Sequence, residues 1–319
     1  MMDAIRHNED QIAVDVLRAA ADLPISRLQE GGDGTYPLHE ASRRHLVLTA
    51  QALLARGAEP NLLTRPAGPG GGESPLMRVG GTPEQQCAMI RILLARGADP
   101  NLVGNEVGQS ALERSAANPG AVELLLQAGA RAPTPQGGRA LGIACGSVEG
   151  WGSFDLLWDA GARPDVDTAS RAMIDVLRHL ACKVMTESFE GGNYVYRADF
   201  AVEPEQRGTA VRIIGLLRQV GAAPNIYCVV GRETPSASTI ADRQHLPYVV
   251  SDHKLTHGFV RWETKQEGDG TKTTKAWTLT LGSSAGDIRS SKEGKPGEAL
   301  TAAELADLAE LPELAARLR

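Results

Sequence analysis

One short pattern recurs along this chain, a pair of leucines followed within a few residues by Gly-Ala. Its copies are LLARGAEPN (53–61), LLARGADPN (93–101), LLLQAGAR (124–131), LLWDAGARP (156–164) and LLRQVGAAPN (216–225). Glycine adopts the positive φ that ends a helix at little cost, and a proline three residues later, present in four of the copies, cannot continue the helix. Each copy therefore predicts the C-terminus of an apolar helix.

The spacing of these helix stops indicates a repeated unit. The glycines are Gly57, Gly97, Gly129, Gly161 and Gly221, and the intervals between them are 40, 32, 32 and 60 residues. A unit of thirty-odd residues with two enlarged intervals fits these values. The first enlargement, LLTRPAGPGGGE (62–73), lacks the Gly-Lys-Ser/Thr of a phosphate-binding loop and is interpreted as a flexible finger.

Similar turns precede the first four helix stops. They read GTYPLHEA (34–41), GESPLMRV (72–79), GQSALERS (108–115) and GGRALGIA (137–144). Turn and stop together resemble the ankyrin repeat, G-x-T-P-L-H-x-A followed by L-L-x-x-G-A-D-x-N, over roughly residues 10–225. The resemblance implies a mainly α fold, an ankyrin-type helical solenoid in which stacked helix pairs share one core. It also implies a structural, bracing role for His39. The leucines of the five stops are then expected in the core: Leu53, Leu54, Leu93, Leu94, Leu124, Leu125, Leu156, Leu157, Leu216 and Leu217.

Two segments depart from the helical pattern. KVMTESFEGGNYVYRADF (183–200) alternates apolar and polar residues around Gly-Gly-Asn and predicts an inserted β-hairpin. A second hairpin is predicted over 259–281, with Asp269-Gly270 as a two-residue turn that places Trp262 opposite Trp277. Short C-terminal helices are expected, because Thr301 and Glu304 form a capping box and Pro312 suits a first helical position.

The distribution of lysine divides the chain. Six of the seven lysines lie between Lys254 and Lys295, whereas arginine predominates before them. We therefore expect residues 1–225 to form the solenoid, with an N-terminal helical cap and with the hairpin inserted at 183–207. The cap is expected to have Asn8 and Gln11 as a capping box and Ile12, Val16 and Leu17 as its apolar positions. Residues 226–319 then form a C-terminal region with the second hairpin, a linker and the terminal helices.

Catalytic motifs are missing from the sequence. It has no Gly-x-Ser-x-Gly elbow, kinase motif set, dinucleotide fingerprint or Cys-x-x-Cys pair. We expect no enzyme activity, no cofactor and no metal site, and reduced cysteines. The alternative is an enzyme whose site lies in the C-terminal region around His253 and His257, which have the i, i+4 spacing of many zinc ligands.

The expected function is therefore binding of another protein. The excess of arginine over lysine and the abundance of alanine suggest a GC-rich bacterial gene, and bacterial proteins resembling ankyrin repeats often look like inhibitors or immunity proteins that block a toxin. The alternative is an effector that binds a host protein. The residues expected to contact the partner are, on exposed repeat positions, Arg43, Arg44, Arg65 and Asn105, and as aromatic anchors Tyr194, Tyr196, Trp262 and Trp277.

Charge and hydropathy limit the other possibilities. The net charge of −6 makes nucleic acid an unlikely partner for the surface as a whole. The sequence has neither a run of eighteen apolar residues nor an apolar N-terminal signal, so we expect a cytoplasmic protein that does not use the membrane.

Overall fold

The structure is a computed structural model. It describes residues 4–5, 7, 9–19, 36–64, 72–104, 108–181, 183–190, 193–200, 202–223, 227–233, 258–266, 272–281, 288–289 and 299–319. Of these, residues 183–199 and 227–300 are described by their backbone alone. Asn8, Arg65, Asn105, His253 and His257 lie outside the described residues.

The described chain is mainly helical, as predicted. Its helices are α1 Asp10–Ala19, α2 Pro37–Arg44, α3 Val47–Ala55, the 3-10 helix η1 Pro75–Arg78, α4 Pro83–Ala95, α5 Ala111–Ser115, α6 Pro119–Gln127, α7 Pro135–Ala144, α8 Trp151–Asp159, α9 Val166–Ala181, α10 Pro204–Gln219, α11 Ala302–Leu308 and α12 Pro312–Leu318. The strands are β1 Val103–Gly104, β2 Gln109–Ser110, β3 Lys183–Glu190, β4 Asn193–Phe200, β5 Tyr227–Glu233, β6 Gly258–Gln266, β7 Lys272–Leu281, β8 Ile288–Arg289 and β9 Ala299–Thr301.

The chain divides into two compact units. The N-terminal unit comprises Met1–Ala144 with Glu149–Pro164, and the C-terminal unit comprises Cys145–Val148 with Asp165–Arg319. This division differs from the boundary near Asn225 expected from composition. In the C-terminal unit α9 packs against both α10 and α11, so the fifth helix pair groups with the terminal helices.

The N-terminal unit is a stack of four helix pairs. The first helices, α2, η1, α5 and α7, contact one another in chain order. The second helices, α3, α4, α6 and α8, do the same. Helix α1 packs against α3 at the start of the stack. The unit also contains a small antiparallel sheet, in which Val103 of β1 pairs with Ser110 of β2.

The five predicted helix stops are present. Their glycines all have positive φ, between +82° at Gly97 and +95° at Gly221. In every copy the leucine four residues before the glycine is fully buried: Leu53, Leu93, Leu125, Leu157 and Leu217. The expected core is wrong for Leu94, Leu124, Leu156 and Leu216, which are only half-buried. A helix turns by about 100° per residue, so two successive leucines cannot both point directly at the core. The second leucine is buried only in the first copy, at Leu54.

Asparagines link neighbouring repeats on the loop side of the stack. Asn61 donates from Nδ2 to the carbonyl of Gly97 (2.9 Å) and accepts from the amide of Asp99 at Oδ1 (2.7 Å). Asn101 makes the same pair of bonds one repeat later, to Gly129 (3.0 Å) and Arg131 (2.8 Å). The third repeat has Pro133 at this position, and a proline side chain can make neither bond.

Polar N-caps begin the first helices of the second and third repeats. Ser74 accepts from the amide of Met77, and Ser110 accepts from the amide of Glu113 in a complete capping box. The first repeat has Tyr36 at this position, and its side chain makes no capping bond. The start of α2 therefore lacks a stabilising contact that the next two repeats have.

Helix α1 is bound to the first repeat through Asp10. The Asp10 carboxylate accepts from the amides of Leu48 (3.1 Å) and Thr49 (2.8 Å) and from the Thr49 hydroxyl (2.6 Å). Asp10 thus caps α3, whose own N-cap residue provides no side-chain acceptor. The expected apolar face of the cap is confirmed for Leu17, which is buried, and is wrong for Ile12 and Val16, which are exposed. Ala13 and Val14 are buried in their place.

In the C-terminal unit, the hairpin of β3 and β4 follows α9 and precedes α10 in the sequence. It pairs Phe189 with Tyr194 and Glu190 with Asn193, so Gly191 and Gly192 are the two connecting residues. The strand ends at Phe200 and α10 begins at Pro204, so the insertion is shorter than the expected 183–207. Arg207 fixes the base of the hairpin, because its guanidinium lies 4.1 Å from the centre of the Phe200 ring and donates to the Leu180 carbonyl (3.3 Å).

The larger sheet has the strand order β4-β3-β6-β7-β5-β8, and β9 pairs with β5. The register predicted for β6 and β7 is wrong by one residue. Trp262 pairs with Ala276, and Trp277 pairs with Arg261. Five residues separate the last pair, Gln266 and Lys272, and an odd number cannot fit a two-residue turn centred on Asp269-Gly270. The two tryptophans therefore occupy alternate faces of the sheet.

The terminal helices begin as expected. Thr301 and Glu304 form the capping box of α11, with bonds of 2.7 and 3.2 Å. Pro312 is the first residue of α12. Within the described ranges, none of the helices has both the length and the apolar character required to cross a bilayer.

We predict that Asp10→Ala will lower the free energy of unfolding by about 1–2 kcal/mol, because α3 loses its cap. Urea unfolding followed by circular dichroism measures this change. Asp15→Ala is the matched control on the same helix, since Asp15 is exposed and its carboxylate contacts only side chains of α1 in the described residues, Gln11 (3.0 Å) and Arg18 (3.3 Å). Its effect should stay within about 0.5 kcal/mol. Equal losses in the two variants would contradict the capping role.

We also predict that Tyr36→Thr will raise the free energy of unfolding by about 1 kcal/mol, because a threonine hydroxyl at the N-cap accepts from the first turn of α2. Tyr36→Ala removes the same ring without adding an acceptor and should not stabilise the protein. Thermal unfolding of both variants tests this, and a stabilising alanine would show that the ring, and not the missing cap, is unfavourable.

Candidate protein-binding surface

Three glutamates hold five arginines along the first helices of the N-terminal unit. The first of them, Glu40, lies in α2. Arg43 donates to both of its oxygens, from Nε at 2.9 Å and from Nη2 at 2.5 Å, and Arg44 donates from Nε. The hydrogen bonds from Arg43, supported by Arg44, lower the pKa of Glu40 to about 2. Glu40 is therefore ionised at neutral pH and fixes both guanidinium groups.

The second glutamate, Glu73, lies at the base of the enlarged loop of the second repeat. Its amide donates to the Thr64 hydroxyl (3.1 Å) and its carbonyl accepts from the Thr64 amide (2.9 Å), so the two ends of the loop are joined. Its carboxylate pairs with Arg78 of the same repeat (3.3 Å) and with Arg114 of the next. One carboxylate thus positions arginines from two successive repeats.

The third glutamate, Glu113, repeats this arrangement one step further along the stack. One oxygen accepts from the amide (2.8 Å) and hydroxyl (3.0 Å) of Ser110, and the other accepts from Nε of Arg139 in the fourth repeat (2.7 Å). Arg139 also donates from Nη2 to the Gly108 carbonyl (2.9 Å). Its guanidinium is therefore held at two points.

His39 connects the first repeat to this network. Its Nε2 lies 2.9 Å from the Leu62 carbonyl and 3.0 Å from the Glu73 carbonyl, so a neutral ring protonated at Nε2 donates to the ends of the enlarged loop. Burial lowers the pKa of His39 to about 4. Its Nδ1 has no hydrogen-bond partner among the described residues. The bracing role expected for His39 agrees with these contacts.

We call the arginines of this network the arginine row: Arg43, Arg44, Arg78, Arg114 and Arg139. Glu73 joins Arg78 to Arg114, and Gly80, just after η1, lies close to the backbone carbonyl of Arg43. The side chains of the arginines are 26–46% exposed, whereas those of Glu73 and Glu113 are 3% exposed and that of Glu40 is 11% exposed. The accessible charge of the row is therefore positive.

The structure brings together two of the eight residues expected to contact a partner. Arg43 and Arg44 share Glu40. Arg65 and Asn105 lie outside the described residues. Tyr194 and Tyr196 lie at alternate positions of β4, and Trp262 and Trp277 are not cross-strand partners. The contacts of these four side chains are not described.

Sequence reasoning missed most of this surface: Glu73, Arg78, Glu113, Arg114 and Arg139. A signal was present, because Arg78 and Arg114 occupy the same place in the opening turns, six residues after Gly72 and Gly108. Aligning the four turns would have shown this. It would not have shown that the pairing glutamates come from different repeat positions, since Glu73 follows the turn glycine directly and Glu113 takes the place of histidine.

No group of three or more His, Cys, Asp or Glu residues suited to a metal ion occurs in the part of the chain that the structure describes. Cys87 and Cys145 are not disulfide-bonded. Burial, with a smaller contribution from Asp175, raises the pKa of the Cys145 thiol, which makes this thiol a poor nucleophile.

Comparison with known proteins gives a family match for one repeat. Residues 33–65 match the family model of the ankyrin repeat. Curated proteins give no match to the chain. Among solved structures, the chain is similar to the human ASB11 ankyrin repeat domain, with 22% identity, 67% of this chain and 84% of that chain covered, and a TM-score of 0.40. It is also similar to EF0377, an ankyrin repeat protein, with 20% identity, coverage of 68% and 95%, and a TM-score of 0.42.

We predict that His39 makes the stability of the protein depend on pH. Because its folded pKa of about 4 lies below the usual 6.5, its contribution is complete above pH 6.5 and is lost as the pH falls towards 4. The loss amounts to about 3 kcal/mol. His39→Gln keeps a donor but does not titrate.

Urea unfolding at a series of pH values tests this prediction. The wild-type protein and the control His7→Gln, at an exposed histidine, should lose stability in parallel between pH 6.5 and 4. His39→Gln should lose about 3 kcal/mol less over the same interval. Three parallel curves would contradict the role given to His39.

Proposed function

We propose that this chain is a non-catalytic binding protein that inhibits its partner, in the way that an immunity protein blocks a bacterial toxin. Stacked repeats present many side chains on one extended surface and are used to hold other macromolecules. The arginine row is the observation that carries the proposal. Its guanidinium groups are fixed before any partner arrives, which reduces the entropy lost on binding.

The chemistry of arginine supports a protein interface. Arginine is enriched among the few residues that dominate binding energy, because it combines a planar set of donors with a long apolar stem. A surface of this kind blocks a partner by occupying its contact site, and it needs neither a nucleophile nor a metal. We propose a cytoplasmic location, where a bacterial inhibitor would meet a toxin made in the same cell.

The source of the partner, bacterial or host, distinguishes the proposed inhibitor from the alternative, an effector. An effector that binds a host protein would use the same repeats and the same arginines. Arginine-rich, lysine-poor composition in the repeats favours a bacterial gene but does not distinguish the two roles. The identity of the protein that forms a stable complex with the chain does distinguish them.

We predict that co-expression of the chain will restore growth to bacteria that produce the toxin encoded beside it, and that the two proteins will elute together in gel filtration. The double variant Arg43→Gln/Arg114→Gln should weaken the complex by about tenfold or more, because each guanidinium is expected to contribute over 1 kcal/mol. Isothermal titration calorimetry measures the change.

The matched control is Arg91→Gln/Arg96→Gln, which removes the same charge at exposed positions in and just after α4. It should leave the affinity within about twofold, because it leaves the arginine row intact. A wild-type chain that forms no complex and restores no growth would contradict inhibition. A specific complex with a host protein instead would favour the effector.

A further inference from the structure

We infer that the arginine row recognises carboxylates, so that the partner presents an extended acidic segment of protein to the first helices of the N-terminal unit. This inference rests on the proposed function and specifies the chemistry of its partner. It begins from a local imbalance of charge. The chain carries a net charge of −6, yet the row brings five arginines together with only three glutamates.

Burial increases this imbalance at the surface. The three carboxylates are 3–11% exposed, while the arginine side chains are 26–46% exposed. A partner that approaches the first helices therefore meets guanidinium groups and hardly any carboxylate oxygen. The field close to this surface is positive although the protein as a whole is acidic.

The hydrogen bonds within the arginine row leave some guanidinium N–H groups available to a partner. A guanidinium has five N–H groups in a fixed plane. Arg43 directs Nε and Nη2 to Glu40, and Arg139 directs Nε to Glu113 and Nη2 to Gly108. Arg114 pairs with Glu73 through Nη2. The remaining N–H groups suit carboxylates, which accept two parallel hydrogen bonds from one guanidinium.

An acidic protein fits this surface better than a nucleic acid does. Ile143 occupies the same repeat position as Arg78 and Arg114 and is 46% exposed. An apolar residue at the end of the row can be covered by a peptide side chain but gains nothing from a phosphate backbone. A long polyanion would also extend past the row onto a chain of net negative charge.

Fluorescence anisotropy with labelled peptides tests the inference. The probe is an oligo-glutamate peptide of about 12 residues, compared with oligo-glutamine and with an oligonucleotide of similar charge, in about 50 and 300 mM salt. An acidic protein repels such a peptide unless a positive surface binds it. We predict that the wild-type chain binds oligo-glutamate, that salt weakens the binding about fivefold or more, and that oligo-glutamine does not bind.

Two sets of variants locate the binding. Arg43→Gln/Arg114→Gln should weaken it about fivefold or more, while Arg91→Gln/Arg96→Gln should not. The first pair is chosen because Glu40 keeps Arg44 and Glu73 keeps Arg78, so no buried carboxylate loses every arginine. Glu40→Gln and Glu73→Gln should strengthen the binding about twofold or more, since each releases guanidinium charge. Damage to the fold alone would not raise affinity.

Each outcome decides the inference. Absence of peptide binding, equal losses in the two arginine pairs, or tighter binding of the oligonucleotide would overturn it. A chain that restores growth but does not bind oligo-glutamate would leave the proposed inhibition intact and remove the acidic partner. A chain that binds oligo-glutamate through the row but restores no growth would support recognition of carboxylates and contradict the proposed inhibition.

Discussion

No helix pair in the N-terminal unit can bury its own leucines, and the rest of the unit depends on this constraint. In this unit the leucine four residues before each glycine stop is fully buried, and each second helix packs against the second helix of the next pair within the unit. Each such side chain stabilises the fold by about 2 kcal/mol. Neighbouring pairs must therefore stay in register. The bonds of Asn61 and Asn101 to the next loop fix that register on one side of the stack.

On the first-helix side, buried charges fix the register. A carboxylate that is buried without a partner costs several kcal/mol, so Glu73 and Glu113 can be internal only while arginines or polar groups surround them. Each pairs with an arginine from the following repeat, Arg114 or Arg139. These ion pairs between repeats therefore form only when adjacent repeats are correctly stacked. A stack built in this way presents its arginines at fixed positions.

The parts of this fold that could be predicted from the sequence depend on local chemistry. Helix stops at glycine, the capping box of Thr301 and Glu304 and the Gly-Gly connection of the first hairpin all involve residues within a few positions of one another. The register of β6 and β7 failed because it depends on the number of residues between the strands, and Asp269-Gly270 suggested a shorter connection than the structure has.

The arginine row could not be predicted in the same way, because its pairs have no constant spacing. Arg114 lies 41 residues from Glu73, and Arg139 lies 26 residues from Glu113. The separations differ because the partners occupy different places in their turns. Glu73 and Arg114 lie one and six residues after their turn glycines, whereas Glu113 and Arg139 lie five and two residues after theirs. The sequence analysis named Arg43 and Arg44 as exposed positions, and their partner Glu40 lies within one turn of the same helix.

The internal pairing of the row also limits how a partner can bind. A competing carboxylate that displaced Glu73 or Glu113 would leave a buried charge unpaired, at a cost of about 3–5 kcal/mol. Binding therefore has to add bonds to the outward N–H groups while the internal ion pairs stay intact. The repeats need not move to accept such a partner. In the proposed interaction, fixed guanidinium groups would favour partners whose carboxylates are spaced like the first helices, so the buried charges that hold the stack together would also determine which partner it selects.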